Sequence, residues 1–160
     1  MTKNLSALWL TRLFVFSAVI LLLITGVAKL ISAFGTAYVL QSPEPITGFS
    51  FRAFFLVTGT IEIIAALFCL LTKQAQTRIR LVALLATNFM VYRIAVYWTG
   101  YHLPCPCLGD LAGALRISAS TADLIMKCVL AYLIIGSYGA LAHYTWEQNR
   151  QTQYAAIQTP

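Results

Sequence analysis

Four long apolar runs, separated by short polar segments, dominate the hydropathy pattern of this chain. Each run is close to the roughly 20 residues that an α-helix needs to cross the hydrocarbon core of a bilayer. The runs extend over about 10–34, 53–72, 81–99 and 121–143. The pattern therefore predicts an all-α, integral membrane four-helix bundle, which we assign to one domain over residues 1–146. The polar, Gln-rich residues 147–160 are predicted to form a mobile C-terminal tail.

The composition agrees with a membrane protein. The chain has 160 residues, of which 59% are hydrophobic and 10% are charged, and its mean hydropathy is +0.77. An ordinary soluble domain is about 25% charged, and disorder requires low hydrophobicity with high net charge. Both classes are therefore excluded, and the lipid bilayer is the expected partner. The net charge of +6 comes from residues that lie mainly between the apolar runs, so we expect no nucleic-acid partner.

The basic residues beside the apolar runs predict the orientation of the bundle. Lys and Arg accumulate on the cytoplasmic side of membrane proteins, close to the ends of the spans. One side carries six of them and the other carries two, namely Lys3, Arg12, Lys73, Arg78, Arg80 and Arg150 against Arg52 and Arg116. We therefore predict a multi-pass protein of the bacterial inner membrane with cytoplasmic N and C termini. Residues 35–52 and 99–120 then form extracytoplasmic loops.

The second of these loops contains the sequence Cys105-Pro106-Cys107. Thiols outside the bacterial cytoplasm form or exchange disulfides. A bond between residues this close in sequence would close almost no loop and would add little stability through chain entropy. It would need a tight turn between the prolines, and strained disulfides are the labile, catalytic ones. We therefore predict that Cys105 and Cys107 are a catalytic, exchanging dithiol. His102 is placed to act as a base or to stabilise a thiolate.

Other interpretations of the cysteines remain open. Either loop cysteine could pair with Cys128 or with a partner protein, or the pair could be inert. The pair could also bind a soft metal together with His102, although a closed zinc site needs four ligands, so we assign no metal site. Cys128 is interpreted as a packed hydrophobe or as a third redox thiol. Cys69, near the inner end of the second helix, is interpreted as a small buried hydrophobe.

Each apolar run also contains an ionisable residue. At 1.5 Å per residue, Lys29, Arg93 and Lys127 lie roughly 8–10 Å below the outer ends of their helices, and Glu62 lies near the middle of the second helix. A charge at mid-span costs at least about 2.5–3.5 kcal/mol, which favours inward-facing pairs, with Glu62 bound to Arg93 or Lys29. Snorkelling to the headgroups is the alternative for Lys29 and Lys127.

An inward-facing arrangement of these groups predicts an electropositive pocket beneath the cysteine loop. Such a pocket would favour a thiolate, or it would receive an anionic or quinone-like electron carrier. No other cofactor is evident in the sequence. Asp123, near the start of the fourth helix, is interpreted as a favourable charge at a helix N-terminus. Gly26, Gly59, Thr60 and Ala65 are interpreted as helix-packing contacts.

Three features together resemble a known family. The first helix ends with Gly26-Val27-Ala28-Lys29-Leu30, the second has Glu62 at its centre, and Cys105-x-Cys107-x-Gly109 precedes the fourth. Over residues 10–142 the chain resembles the MauE (methylamine-utilisation protein) branch of the DoxX-like membrane protein superfamily. The family pattern has glycine between the two cysteines, where this chain has Pro106. The branch is linked to maturation of methylamine dehydrogenase, whose small subunit needs many disulfides.

The resemblance implies a four-helix accessory protein for thiol–disulfide chemistry outside the cytoplasm. We accordingly predict thiol–disulfide exchange, or disulfide maturation of an extracytoplasmic client, at Cys105 and Cys107. Lys29, Arg93 and Lys127 would tune the site while Glu62 neutralises part of their charge, and electrons would pass to a thioredoxin-like partner or a quinone. The alternatives are a non-catalytic accessory subunit of a larger membrane complex and a membrane protein that handles a soft metal.

Overall fold

The described residues form four long helices. The computed structural model describes the backbone of residues 2–35, 40–100 and 117–158, and the side chains of residues 9–35, 40–100, 117–118, 120–150 and 153. The helices are α1 (Thr2–Ala33), α2 (Phe51–Leu71), α3 (Ala75–Trp98) and α4 (Ala119–Gln158). No strand occurs in these described ranges, apart from an isolated bridge between Pro43 and Ser50.

Every helix contains a segment long and apolar enough to cross a membrane. The four segments are Trp9–Ala33, Phe51–Leu71, Ala75–Trp98 and Ser120–Arg150. The prediction of an all-α membrane bundle with four spans is confirmed. Large apolar side chains cover the outside of the bundle, for example Phe16, Ile64 and Ile135, which are all more than half exposed. These side chains contact lipid in the membrane.

The fourth helix is longer than the hydropathy pattern suggests. Where a polar tail is predicted from residue 147, the structure continues α4 as a helix to Gln158. Gln, Arg and Ala in this segment have high helix propensity. The guanidinium of Arg150 also lies 4.4 Å from the centre of the Trp146 ring, one helical turn away, and cation–π contacts of this kind stabilise a helix surface.

Two glycines allow a close approach between α1 and α2. A Cβ atom added to Gly59 would lie 2.9 Å from the backbone oxygen of Gly26, and a Cβ on Gly26 would lie 3.1 Å from the backbone oxygen of Gly59. Small residues let two membrane helices approach at this distance. The predicted helix-packing role of both glycines is confirmed. Lys29 and Glu62 each follow one of the glycines by three residues, so the crossing brings their side chains onto facing surfaces.

The four-helix bundle has two ends. We call the end where α1 and α3 finish and α2 and α4 begin the loop end. A small apolar cluster of Ala33, Leu40, Phe51 and Phe55 closes this end. The larger core cluster, which includes Ala18, Ala66, Ile79 and Leu133, fills the opposite half of the bundle. Between the two clusters lies a layer of polar side chains.

Candidate functional site

The centre of the polar layer is a buried ion pair. Lys29 is 6% exposed and Glu62 is completely buried. The Lys29 ammonium pairs with Oε1 of Glu62, while the Thr25 hydroxyl donates to Oε2 at 2.9 Å. The Lys29 Nζ also lies 5.1 Å from the centre of the Phe89 ring. Of the two partners predicted for Glu62, Lys29 is the one it binds, and the burial of Lys29 contradicts snorkelling.

Arg93 binds a different carboxylate. Its Nη1 lies 2.6 Å from Oδ1 of Asp123, and Nζ of Lys127 lies 2.7 Å from Oδ2 of the same residue. The interpretation of Asp123 as only a favourable charge at a helix N-terminus is therefore incomplete, because this carboxylate bridges two cations from two helices. The i,i+4 spacing of Asp123 and Lys127 is the sequence signal that could have shown part of this arrangement.

Lys127 does not lie where the sequence analysis expects it. Its side chain is 63% exposed and does not line the interior cavity described below. Two carboxylates, Glu62 and Asp123, offset two of the three cations in the layer. The predicted electropositive pocket is thus far less positive than the cations alone suggest.

A second buried carboxylate closes the loop end. Glu44 lies in the described part of the α1–α2 connection and is 1% exposed. Its Oε2 accepts hydrogen bonds from the Thr47 amide and hydroxyl, both at 2.7 Å, and from the Ile46 amide at 3.1 Å. Its Oε1 accepts from the Tyr92 hydroxyl at 3.0 Å. Glu44 therefore ties the connection to α3, a contact that the sequence analysis missed because the two residues are 48 positions apart.

The hydrogen bonds of Glu44 also set its ionisation. Burial by itself raises the pKa of this carboxyl, but the hydrogen bonds from Thr47, Ile46 and Tyr92 favour the charged form and outweigh it. The pKa of Glu44 consequently lies below its ordinary value of 4.5. A carboxyl whose pKa is lowered by folding stabilises the folded state above its unfolded pKa, and this stabilisation is lost as the pH falls through the folded value.

Replacing Glu44 with glutamine is therefore expected to lower the stability of the bundle in a pH-dependent way. Hydrogen bonds to a charged group contribute about 1.5–3 kcal/mol, so the loss should be of that order at neutral pH. The difference between the wild type and Glu44→Gln should shrink as the pH is lowered below 4.5, since the wild-type carboxyl then becomes neutral too. Thermal unfolding in detergent across this range measures the difference; a difference that stays constant with pH would contradict the expectation.

A cavity of about 280 Å³ lies beside both ion pairs. All four helices contribute to its wall, and most of the lining is apolar. Its polar lining consists of Thr25, Thr58, Asn88 and Tyr92 together with the charged residues Lys29, Glu62 and Arg93. The ring of Tyr92 stacks on Phe54, with 4.9 Å between the ring centres. Most of the ionisable residues predicted to act together therefore do surround one space.

The cysteines fall into two groups. Cys105, Cys107 and His102 lie outside the residues that the structure describes, on the connection that leaves α3 and enters α4 at the loop end. Their catalytic and supporting roles stay predictions. Cys69 is buried at 1% exposure, as predicted, with its Sγ 3.9 Å from the Arg78 carbonyl oxygen. Cys128 is a free, exposed thiol, so its interpretation as a packed hydrophobe is wrong.

The Arg93–Asp123 pair links the two helices from which the cysteine connection extends. Arg93 is five residues before the end of α3, and Asp123 is four residues after the start of α4. At 1.5 Å per residue, both lie within about 6–8 Å of the ends of their helices. The pair therefore holds together the two points between which residues 99–118 must run.

Comparison with known proteins gives a match to a family model. A family model described as "Methylamine utilisation protein MauE" matches residues 6–143. The matched range begins in α1 and reaches far into α4. No curated protein matches the chain, and no solved structure does.

Proposed function

The chain belongs to the MauE family of membrane proteins, and from this premise we propose that it carries out extracytoplasmic thiol–disulfide exchange with Cys105 and Cys107 as the exchanging dithiol. The observation that carries the proposal is the position of Cys105-Pro106-Cys107 on the connection between α3 and α4. That connection begins and ends at the loop end, beside the buried polar layer. The proposal includes the predicted orientation, in which the loop end faces the outside of the bacterial inner membrane.

The proposed reaction is maturation of a client disulfide. A client thiolate attacks the Cys105–Cys107 disulfide, so that one cysteine leaves as a thiolate and the other forms a mixed disulfide with the client. The second client thiolate then attacks the mixed disulfide and releases the oxidised client. One S–S bond breaks and one forms, and the two electrons move from the client to the pair of loop cysteines. A thioredoxin-like protein could exchange with the same pair by the same steps.

Two features of the described residues support this role. The Arg93–Asp123 ion pair fixes the spacing of the two helix ends that hold the cysteine connection. Fixing both ends of the connection restricts the conformations that it can adopt. Less conformational entropy is then lost when it binds a client. Arg93 and Lys127 share the single carboxylate of Asp123, which leaves one net positive charge near the loop end. Positive charge of this kind favours a thiolate over a thiol.

The test replaces the loop cysteines. In the double variant Cys105→Ser/Cys107→Ser, oxidation of a reduced, unfolded model protein by the reconstituted full chain should fall to the level of empty vesicles. The single variant Cys107→Ser should trap a mixed disulfide with an oxidised client, because the Cys105 thiolate attacks the client disulfide and no second loop thiol is present to resolve the product. Alkylation of free thiols followed by gel shift measures both results in native membranes as well as in vesicles.

Cys128→Ser is the matched control. It removes a single exposed thiol from α4 and should leave client oxidation unchanged if Cys105 and Cys107 are sufficient. Client disulfide formation that persists in the double variant would overturn the proposal.

One observation favours a second candidate function, a non-catalytic subunit of a larger membrane complex. Of the four spans, α4 buries the smallest share of its residues within the described bundle, and it exposes polar as well as apolar groups, including Lys127 and Cys128. A helix of this kind suits contact with another protein. Stoichiometric co-purification of a complex that survives the double cysteine substitution would favour this candidate, whereas a chain purified alone with active cysteines would exclude it.

A further inference from the structure

The cavity beneath the loop end has the properties of a site for a single flat ring. Small-molecule pockets span about 300–1,000 Å³ for drug-sized ligands, and this cavity of about 280 Å³ lies just below that range. Aromatic side chains from α2 and α3 make up much of its wall, namely Phe51, Phe54, Phe55, Phe89 and Tyr92. Rings of this kind pack well against a planar ligand in offset or edge-to-face arrangements.

The polar lining favours a ligand that accepts hydrogen bonds. The Lys29 ammonium and the Arg93 guanidinium each carry several N–H donors, whereas the single O–H of Tyr92 is already donated to Glu44. The only carboxylate in the described lining, Glu62, already accepts from Lys29 and Thr25. Because Glu62 and Asp123 offset the charges of Lys29 and Arg93, the site has little net charge for an anion to neutralise. An uncharged ring with carbonyl oxygens meets both conditions.

Asn88 gives an independent indication of a ligand. It lies 13 residues into the 24-residue helix α3, close to mid-span, and it lines the cavity while remaining exposed. Within the part of the chain that the structure describes, its amide makes no hydrogen bond. A polar group at the depth of the hydrocarbon core is costly without a partner. From its exposure we infer that the cavity opens towards lipid beside α3, where a membrane-soluble molecule can enter.

We propose that this cavity binds the ring of a benzoquinone-type electron acceptor, an inference that rests on the proposed thiol–disulfide function. Client oxidation leaves Cys105 and Cys107 as thiols, which must be reoxidised. In the reoxidation both S–H bonds break and one S–S bond forms. Two electrons and two protons pass to the quinone, whose two carbonyl groups become hydroxyl groups. Asn88 donates to one quinone carbonyl, and the hydrophobic tail of the quinone leaves the cavity through the opening beside α3.

Binding is tested with decylubiquinone, a benzoquinone with a ten-carbon tail, on the full chain in nanodiscs of defined phospholipid. Quinone retained above the level of empty nanodiscs is the measured quantity. Thr58 and Thr60 offer a matched pair, because both hydroxyls bond the carbonyl four residues earlier, at 2.8 and 2.7 Å. Thr58 lines the cavity, whereas Thr60 is exposed and does not.

Thr58→Phe fills the cavity and should weaken quinone binding at least tenfold, while Thr60→Phe adds the same ring on the outer face and should leave binding unchanged. Equal binding by the two variants would mean that the quinone only partitions into the lipid of the nanodisc. That result would overturn the proposal. Asn88→Leu should weaken binding about five- to tenfold through the lost hydrogen bond. It removes no partner within the described chain, so it keeps the test valid if Thr58→Phe fails to fold.

A second measurement separates this inference from the proposed function. The Cys105→Ser/Cys107→Ser variant should bind decylubiquinone as the wild type does, because the proposed binding contacts come from Asn88 and the aromatic lining of the cavity. Reduced wild type mixed with the quinone should form one quinol for every two thiols lost. The ultraviolet absorbance of the quinone measures this conversion. Binding without quinol formation would overturn the role of the quinone as electron acceptor. Binding without client oxidation would overturn the thiol–disulfide function, whereas client oxidation without specific binding would overturn the cavity site alone.

Discussion

Replacing Glu62 with leucine is expected to destabilise the folded bundle by about 3–5 kcal/mol, the usual effect of removing one partner of a buried ion pair. The variant leaves the Lys29 ammonium buried at 6% exposure without its carboxylate. It also removes the acceptor of the Thr25 hydrogen bond. The remaining contact of Lys29 with the face of Phe89 cannot replace a full negative charge. Unfolding in mixed micelles, followed by circular dichroism, measures the loss.

The double variant Glu62→Leu/Lys29→Met identifies the cause. If the stability loss comes from an uncompensated buried charge, removing both charges should restore most of it, because well-packed apolar residues often replace a buried pair without loss. Lys127→Met is the control for removing a lysine from a span. Its side chain is 63% exposed and pairs at i,i+4, and such pairs contribute at most about 1 kcal/mol. A double variant no more stable than Glu62→Leu would show that the pair acts through packing instead.

Gly59→Ala is the second substitution with a large expected effect. Its new Cβ would lie 2.9 Å from the backbone oxygen of Gly26 and 3.2 Å from the Leu30 side chain. The backbone oxygen cannot move aside without a shift of α1 against α2, so we expect a loss of about 1–3 kcal/mol from overpacking. Since this crossing also places Lys29 opposite Glu62, the shift should weaken the ion pair and change the shape of the cavity.

Gly139→Ala is the matched control, with an expected effect of opposite sign. Among the described residues, no side chain and no backbone of another helix would lie within 4 Å of a Cβ on Gly139. Alanine at a helical glycine without steric conflict stabilises a helix by up to about 1 kcal/mol. The same unfolding measurement should therefore place Gly59→Ala below the wild type and Gly139→Ala at or above it. Equal effects would mean that helix propensity, rather than the close approach, governs both sites.

The sequence analysis identified most members of the polar layer but not their partners. Lys29, Glu62 and Arg93 stand out because ionisable residues are rare in apolar runs, and all three line the cavity. The choice of Lys29 as the partner of Glu62 follows from the glycine crossing of α1 and α2. Arg93 binds Asp123 instead, because α3 packs mainly against α4. The rotation of each helix about its own axis, which decides these pairs, is not encoded in hydropathy.

Glu44 shows a different limit of sequence reasoning. In sequence it is an acidic residue in a Pro- and Gly-containing connection, which is typical of a solvated loop. In the structure it is 1% exposed and accepts from Thr47, Ile46 and Tyr92. The local bonds to Ile46 and Thr47 follow a pattern that acidic turn residues often form. The bond to Tyr92 depends on how the connection folds back over α3, and no local pattern reports it.

The sequence by itself determined the class of the protein, its four spans and which ionisable residues lie within them. Each of these follows from local quantities, because transfer of a segment into lipid is a sum over its own residues and the charge of a side chain belongs to that side chain. The tertiary structure alone decided which charges neutralise each other, that Lys127 and Cys128 lie on the outside, and that the polar layer encloses a cavity. These outcomes depend on which helix faces meet, which is a property of packing between residues far apart in the chain.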